Sequence, residues 1–154
     1  MSVRTALLAP LLGAILLATG CQHGKGARPT TPEGHVRAVL DQQVADWNAG
    51  SIDGFMRGYA HTDGTRFASG GEVTRGWRTV FDRYVKRYGD RAAMGRLAFS
   101  DVEVTEISPT SALVFGHWRL EREKDRPEGM FTLLFLLTPE GWRIVHDHTS
   151  SATP

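Results

Sequence analysis

The chain has 154 residues, with 18 lysines and arginines against 17 aspartates and glutamates, and a single cysteine. So even a balance gives no global pull towards nucleic acid or anionic lipid, and a lone cysteine excludes an internal disulfide. About 120 residues follow the N-terminal segments, enough for one domain with its own core.

The first element is an export signal. Arg4 supplies a positive n-region, Leu7 to Leu17 an apolar stretch broken only by Pro10 and Gly13, and Ala18-Thr19-Gly20 a small-residue cleavage box. The stretch is too short to span a bilayer. Cys21, at the cleavage point, resembles the modified cysteine of bacterial lipoproteins, although leucine is commoner where Ala18 stands. The resemblance implies a signal peptide over residues 1–20 and acyl chains on Cys21. At roughly 0.8 kcal/mol per buried methylene these anchor the chain to a lipid bilayer. The same box also suits the general signal peptidase, which would free a soluble protein with an exposed thiol. In lipoproteins of two-membraned bacteria an aspartate after the cysteine favours inner-membrane retention. Gln22 therefore implies the cell envelope, on the outer membrane and facing the periplasm. Removal of residues 1–20 takes Arg4 alone among the charged side chains, leaving 17 of each sign. Residues 21–31 are Gly, Pro, Thr and basic residues without apolar period, a flexible tether. The domain is expected over residues 32–150, with 151–154 a disordered tail.

Within the domain, Thr31-Pro32-Glu33 is a helix start: a capping hydroxyl, proline in the first turn and an acid at the positive dipole end. Val36, Leu40, Val44 and Trp47 form its apolar stripe, and Gly50 ends it. Ser51 restarts a shorter helix whose buried face is Ile52, Phe55, Met56 and Tyr59. Gly70-Gly71 joins two short strands as a hairpin. Trp77, Val80, Phe81, Tyr84 and Tyr88 mark a third helix. Its basic neighbours, Arg75, Arg78, Arg83, Lys86, Arg87, Arg91 and Arg96, interleave with Asp82 and Asp90 as a solvated face. Four strands follow, over Leu97–Ile107, Ser111–Glu121, Met130–Thr138 and Trp142–Thr149, with turns short enough for antiparallel neighbours. Leu97 and Phe99 share one parity, Val102 and Val104 the other. This phase change predicts a β-bulge and a bend near Ser100-Asp101. Met130 to Leu137 is apolar on both parities, as in a strand covered on both faces, which predicts a homodimer through the sheet.

Helices first and a strand meander after is an α+β pattern. Trp47-Asn48-Ala49-Gly50-Ser51-Ile52-Asp53-Gly54-Phe55 resembles the opening helix–turn of SnoaL-like proteins in the nuclear transport factor 2-like superfamily. Gly141-Trp142-Arg143-Ile144-Val145-His146-Asp147-His148-Thr149-Ser150 resembles their closing strand. The resemblance implies a cone: three N-terminal helices packed in a curved, mostly antiparallel sheet, often dimeric. Members of the superfamily include isomerases, dehydratases, cyclases and non-catalytic binding domains, so fold alone does not settle function.

Alternation on the last strand places His146 and His148 on one face with Trp142 and Ile144, and Asp147 on the other with Arg143 and Val145. Assigning the Ile144 face to the interior makes both imidazoles look into a cavity walled by Trp47, Tyr59, Trp77, Tyr84 and Trp118. Such a site holds a small apolar or amphipathic molecule. A histidine there can also move a proton. His117 could join the pair around a metal, but no Glu or Cys falls at a familiar ligand spacing, so no metal is assigned. Asp101 and Glu72 are the acids nearest strand segments, explained by the bulge and by a turn. No phosphate loop or nucleophile elbow is present, and nothing calls for a cofactor. Three functions remain: a lipid-anchored module binding a small molecule, a dimeric interaction domain of the cell envelope, and an isomerase, dehydratase or cyclase using a pocket histidine.

Overall fold

The structure, a computed structural model, describes residues 29–152. The expected signal peptide, Cys21 and most of the expected tether lie outside the described residues.

Helix α1 spans Pro32–Asn48, and the Thr31 hydroxyl caps it by accepting from the Gly34 N–H at 3.1 Å. It buries Val36, Leu40, Gln43 and Trp47, while Val44 is only partly covered. One amide thus enters an otherwise apolar stripe, and it is satisfied: Gln43 Nε2 donates to the Phe55 carbonyl at 3.0 Å. Gly50, at φ 85°, turns the chain into α2 (Ile52–Met56), which Ser51 caps. Strands β1 (Arg66–Ser69) and β2 (Glu72–Arg75) form the expected hairpin, with Gly70 and Gly71 both at positive φ. Helix α3 spans Trp77–Arg87, and a short α4, Arg91–Met94, follows on an Asp90 cap. Strands β3 (Arg96–Ser108), β4 (Ser111–Glu121), β5 (Glu128–Thr138) and β6 (Gly141–Thr149) complete one six-stranded sheet of order β2-β1-β6-β5-β4-β3. Only β1 and β6 run parallel. The chain does not stop at β6. Ser150 N–H donates to the Met130 carbonyl and Ala152 N–H to that of Glu128, so residues 151 and 152 lie along β5 rather than free.

Of the three register slips in this sheet, one near the β3–β4 turn at Ile107, two shape the cone. In β3, Ser100 pairs His117 and Glu103 pairs Phe115, so Asp101 and Val102 together oppose Gly116. This is the bulge the phase change predicts, and Asp101 adopts φ 51° to make it. In β6, Ile144 pairs Phe135 and His146 pairs Leu134, leaving Val145 as an extra residue. Both slips turn the following side chains to the opposite face. The concave face, with the helices, buries Val114, Leu120, Phe131, Leu133, Phe135, Trp142 and Ile144. The cone follows from this curvature: α1 to α3 fill the hollow and leave a small space between aromatic rings.

Candidate functional site

The space inside the cone measures about 90 Å³. Its walls are Trp47 of α1, Phe55 and Tyr59 around α2, Tyr84 and Tyr88 of α3, and Phe67, Phe99, Trp118 and Phe131 of the sheet. Trp47 meets Phe55 edge-on at 5.1 Å and Tyr88 at 4.7 Å; Phe99 meets Phe131 at 5.1 Å. Both wall tryptophans have spent their N–H elsewhere, Trp47 on the Met94 carbonyl at 3.1 Å and Trp118 on the Ser150 carbonyl at 2.9 Å. They therefore face the cavity as apolar surface. Tyr84, Tyr88, Phe99 and Trp118 are only partly buried and mark the mouth.

Into these rings projects one acid. Asp147 is 4% exposed. Tyr59 Oη donates to its Oδ2 at 2.7 Å and Thr149 Oγ1 to its Oδ1 at 2.6 Å. The Tyr84 hydroxyl stands 3.3 Å from that of Tyr59. Tyr59 has one proton and gives it to Asp147, so Tyr84 is the donor to Tyr59. The result is a relay, Tyr84 to Tyr59 to Asp147. Burial pushes the Asp147 carboxyl up to about 6, against the two hydroxyl bonds that favour its ionised form. Burial, with the charge of Asp147 beside them, likewise raises both tyrosines well above the usual phenol range. Two of the roughly four lone-pair sites of the carboxylate are used, which leaves acceptor capacity for a ligand.

The expected wall residues Trp47, Tyr59, Tyr84 and Trp118 come together around this cavity. Trp77 does not: its N–H bonds the Met56 carbonyl and its ring stacks on Phe81 at 5.2 Å, beside α2. The two histidines are corrected as well. The Val145 bulge reverses the parity after Ile144, so Asp147 points inward and His146 and His148 lie on the convex face. There His148 is exposed, and burial, with Arg66 and His148 nearby, holds His146 below the ordinary histidine range. Among the described residues no three His, Cys, Asp or Glu side chains gather as metal ligands do. Asp147, Thr149, Gln43, Tyr88 and Phe99 were not among the expected site residues. The one sequence signal for Asp147 was the Ile144-Val145 pair, two apolar neighbours that only a bulge reconciles with a single buried face.

A curved six-stranded sheet wrapped around helices as a cone defines a class of α+β domain, and the comparisons agree. The SnoaL-like domain family matches residues 36–154. An NTF-2 like protein of unknown function from Shewanella oneidensis MR-1 is 35% identical, with a TM-score of 0.75, over 78% of this chain and 99% of that one. An NTF2-like protein of unknown function from Pseudomonas putida KT2440 is 16% identical, with a TM-score of 0.68, over 83% and 92%. A ketosteroid isomerase-like protein from Erwinia carotovora atroseptica is 16% identical, with a TM-score of 0.62, over 78% and 95%; these last two share the fold. No curated protein matches the chain in sequence. The chain belongs to the SnoaL-like domain family.

Proposed function

We propose that this domain binds a small apolar molecule carrying one hydrogen-bonding group, held in the cone with its polar end on Asp147. The observation that carries this reading is the buried Asp147, bonded by Tyr59 and Thr149 at the floor of an aromatic cavity. A volume of about 90 Å³ is below the roughly 300–1,000 Å³ of drug-sized sites, and apolar cavities of about 150 Å³ accept benzene. The space as it stands is smaller than a benzene-binding cavity, so a single-ring ligand enters by displacing Trp118 and Phe99 at the mouth. Above pH 6 the carboxylate accepts, so a phenol or alcohol is preferred over an ether of the same shape. Titration of small phenols by ligand-observed NMR at pH 7.5 tests this. Asp147→Asn should lose about tenfold in affinity with folding intact. Equal affinity in the variant, or equal binding of the methyl ether, would refute it.

A second reading rests on the same carboxyl. A base with pKa about 6 is poised to take a proton at neutral pH, and one structural neighbour is described as ketosteroid isomerase-like. The acid–base residue is then Asp147, since both histidines face away. Deuterium wash-in next to the carbonyl of a small cyclic ketone should occur with the wild type and vanish in Asp147→Asn.

We further propose that Cys21 carries the lipid anchor and that the domain works on the periplasmic side of the outer membrane. The support is the segment Arg4 to Cys21. Cys21→Ser in the native host should move the protein from the membrane to the soluble fraction; a wild type already soluble and without acyl mass would refute it.

A further inference from the structure

The β2–β1–β6 side of the convex face gathers cations without counter-charges. Register sets Arg75 of β2 directly opposite Arg66 of β1, and Arg66 beside His146 of β6, in one row. In the next row Ala68 stands beside His148, and His148 beside Thr132 of β5. With strands about 4.8 Å apart, the backbone positions of Arg75, Arg66 and His146 fall within roughly 10 Å. Both arginines and His148 are exposed, and among the described residues none of them joins an ion pair. The acids nearby are turned elsewhere. Glu72, at the start of β2, reaches Arg83 of α3 at 3.8 Å. Asp147 lies on the concave face, and Glu103 stands on β3, four strands from β1. Arg143, further along β6, is offset by Glu140 and stays outside the cluster.

Like charges directly opposite each other in a sheet are destabilising. Arg75 and Arg66 are such a pair, and His146 extends the row. The half-buried His146 ring has its Nδ1 enclosed without a partner, so Nε2 is the nitrogen left to solvent. With no acceptor at Nδ1, the neutral ring carries its proton on Nε2 and points a donor outward. We propose that Arg75, Arg66, His146 and His148 form a second site, separate from the cone, for a phosphate-type oxyanion, carried by a free phosphate or by a lipid headgroup. The guanidinium groups suit two-pronged bonds to phosphate oxygens, and the His146 Nε2–H adds a third donor. A bound anion relieves the repulsion between the arginines. Burial, then the charges of Arg66 and His148, hold His146 below the ordinary histidine range. Its neighbours on β5, Leu134 and Thr132, are uncharged. An anion counters both charges, so its binding should carry the His146 titration to higher pH.

The test uses the full chain carrying Cys21→Ser, unfolded with urea in inorganic phosphate and in chloride at equal ionic strength, with imidazole NMR titrations in both. Phosphate should stabilise the protein through binding to the folded state and should move the His146 titration to higher pH. Arg66→Gln should weaken phosphate binding about tenfold. In chloride the same variant should unfold no earlier than the unsubstituted face, because the like-charge pair is gone, which also shows that it folds. Dihexanoyl phosphatidic acid separates the two sources: tighter binding than inorganic phosphate, lost in Arg66→Gln, identifies a lipid headgroup, and equal binding identifies a free phosphate. The proposal is overturned if neither phosphate nor dihexanoyl phosphatidic acid binds more tightly than chloride. It is equally overturned if Arg66→Gln keeps the full response, or if phosphate stabilises the protein and leaves the His146 titration unmoved.

Discussion

The two faces of one sheet handle polar side chains in opposite ways. The concave face admits a single acid, Asp147, buries it among rings and bonds it with two hydroxyls, one of them backed by a third. The convex face spreads Arg66, Arg75, Glu103 and two histidines around an aliphatic centre and satisfies few of them; His146 Nδ1 is buried without a partner. A buried charge costs stability, which is why the proposed function rests on the inner acid. The outer charges, being solvated, cost little.

The largest effect should come from deleting Val145. Without the bulge, Asp147 turns out and His146 and His148 turn in, burying two imidazoles in an apolar cone. Loss of more than about 4 kcal/mol is expected; urea unfolding reads it, and a change below about 1 kcal/mol would show that the bulge does not set the facing.

Next is Asp147→Asn. The folded carboxyl titrates near 6 and an unfolded aspartate near 4. Between these values the folded state holds the proton that the unfolded state has lost, so stability falls as pH rises from 4 to 6. The cost above pH 6 is about 3 kcal/mol. The asparagine variant should be more stable than wild type by up to that amount at pH 7.5 and should lack the slope. Equal stability of the two proteins at pH 7.5 would mean the acid is not strained.

Tyr59→Phe removes the donor to Asp147 Oδ2 and should cost about 1–3 kcal/mol above pH 6. Because that bond favours the ionised carboxyl, its loss should also move the stability transition to higher pH; an unmoved transition would place Tyr59 outside the network. The smallest effect belongs outside. His148→Ala, at an exposed site, should change stability by no more than about 0.5 kcal/mol and leave phenol binding unchanged. A loss of binding there would return the histidine to the cavity.

Much of this architecture is legible in the residues. Thr31, Ser51 and Gly50 mark helix ends by chemistry that acts over three or four residues, and the Gly70-Gly71 hairpin is equally local. The β3 bulge is legible because apolar residues stand on both sides of it, Leu97 and Phe99 before, Val102 and Val104 after. The β6 bulge has only the Ile144-Val145 pair to signal it, because Val145 is succeeded by His-Asp-His, polar at either parity. Its facing is decided by Tyr59, which meets Asp147 across 88 positions of chain. The α4 turn at Arg91–Met94 is equally silent, because its side-chain cap, Asp90, comes after a loop glycine and precedes no periodic run.

The hydroxyl relay also has a mechanical side. Tyr84 of helix α3 packs on Trp47, Phe55 and Phe67, and its hydroxyl ties the helix through Tyr59 to the closing strand. A proton on Asp147 loosens that tie, because a neutral carboxyl accepts more weakly than an anion. Breathing of α3, the wall that flanks the mouth, is therefore geared to pH, and its amides should exchange with solvent faster below pH 6 than a change in global stability alone would give.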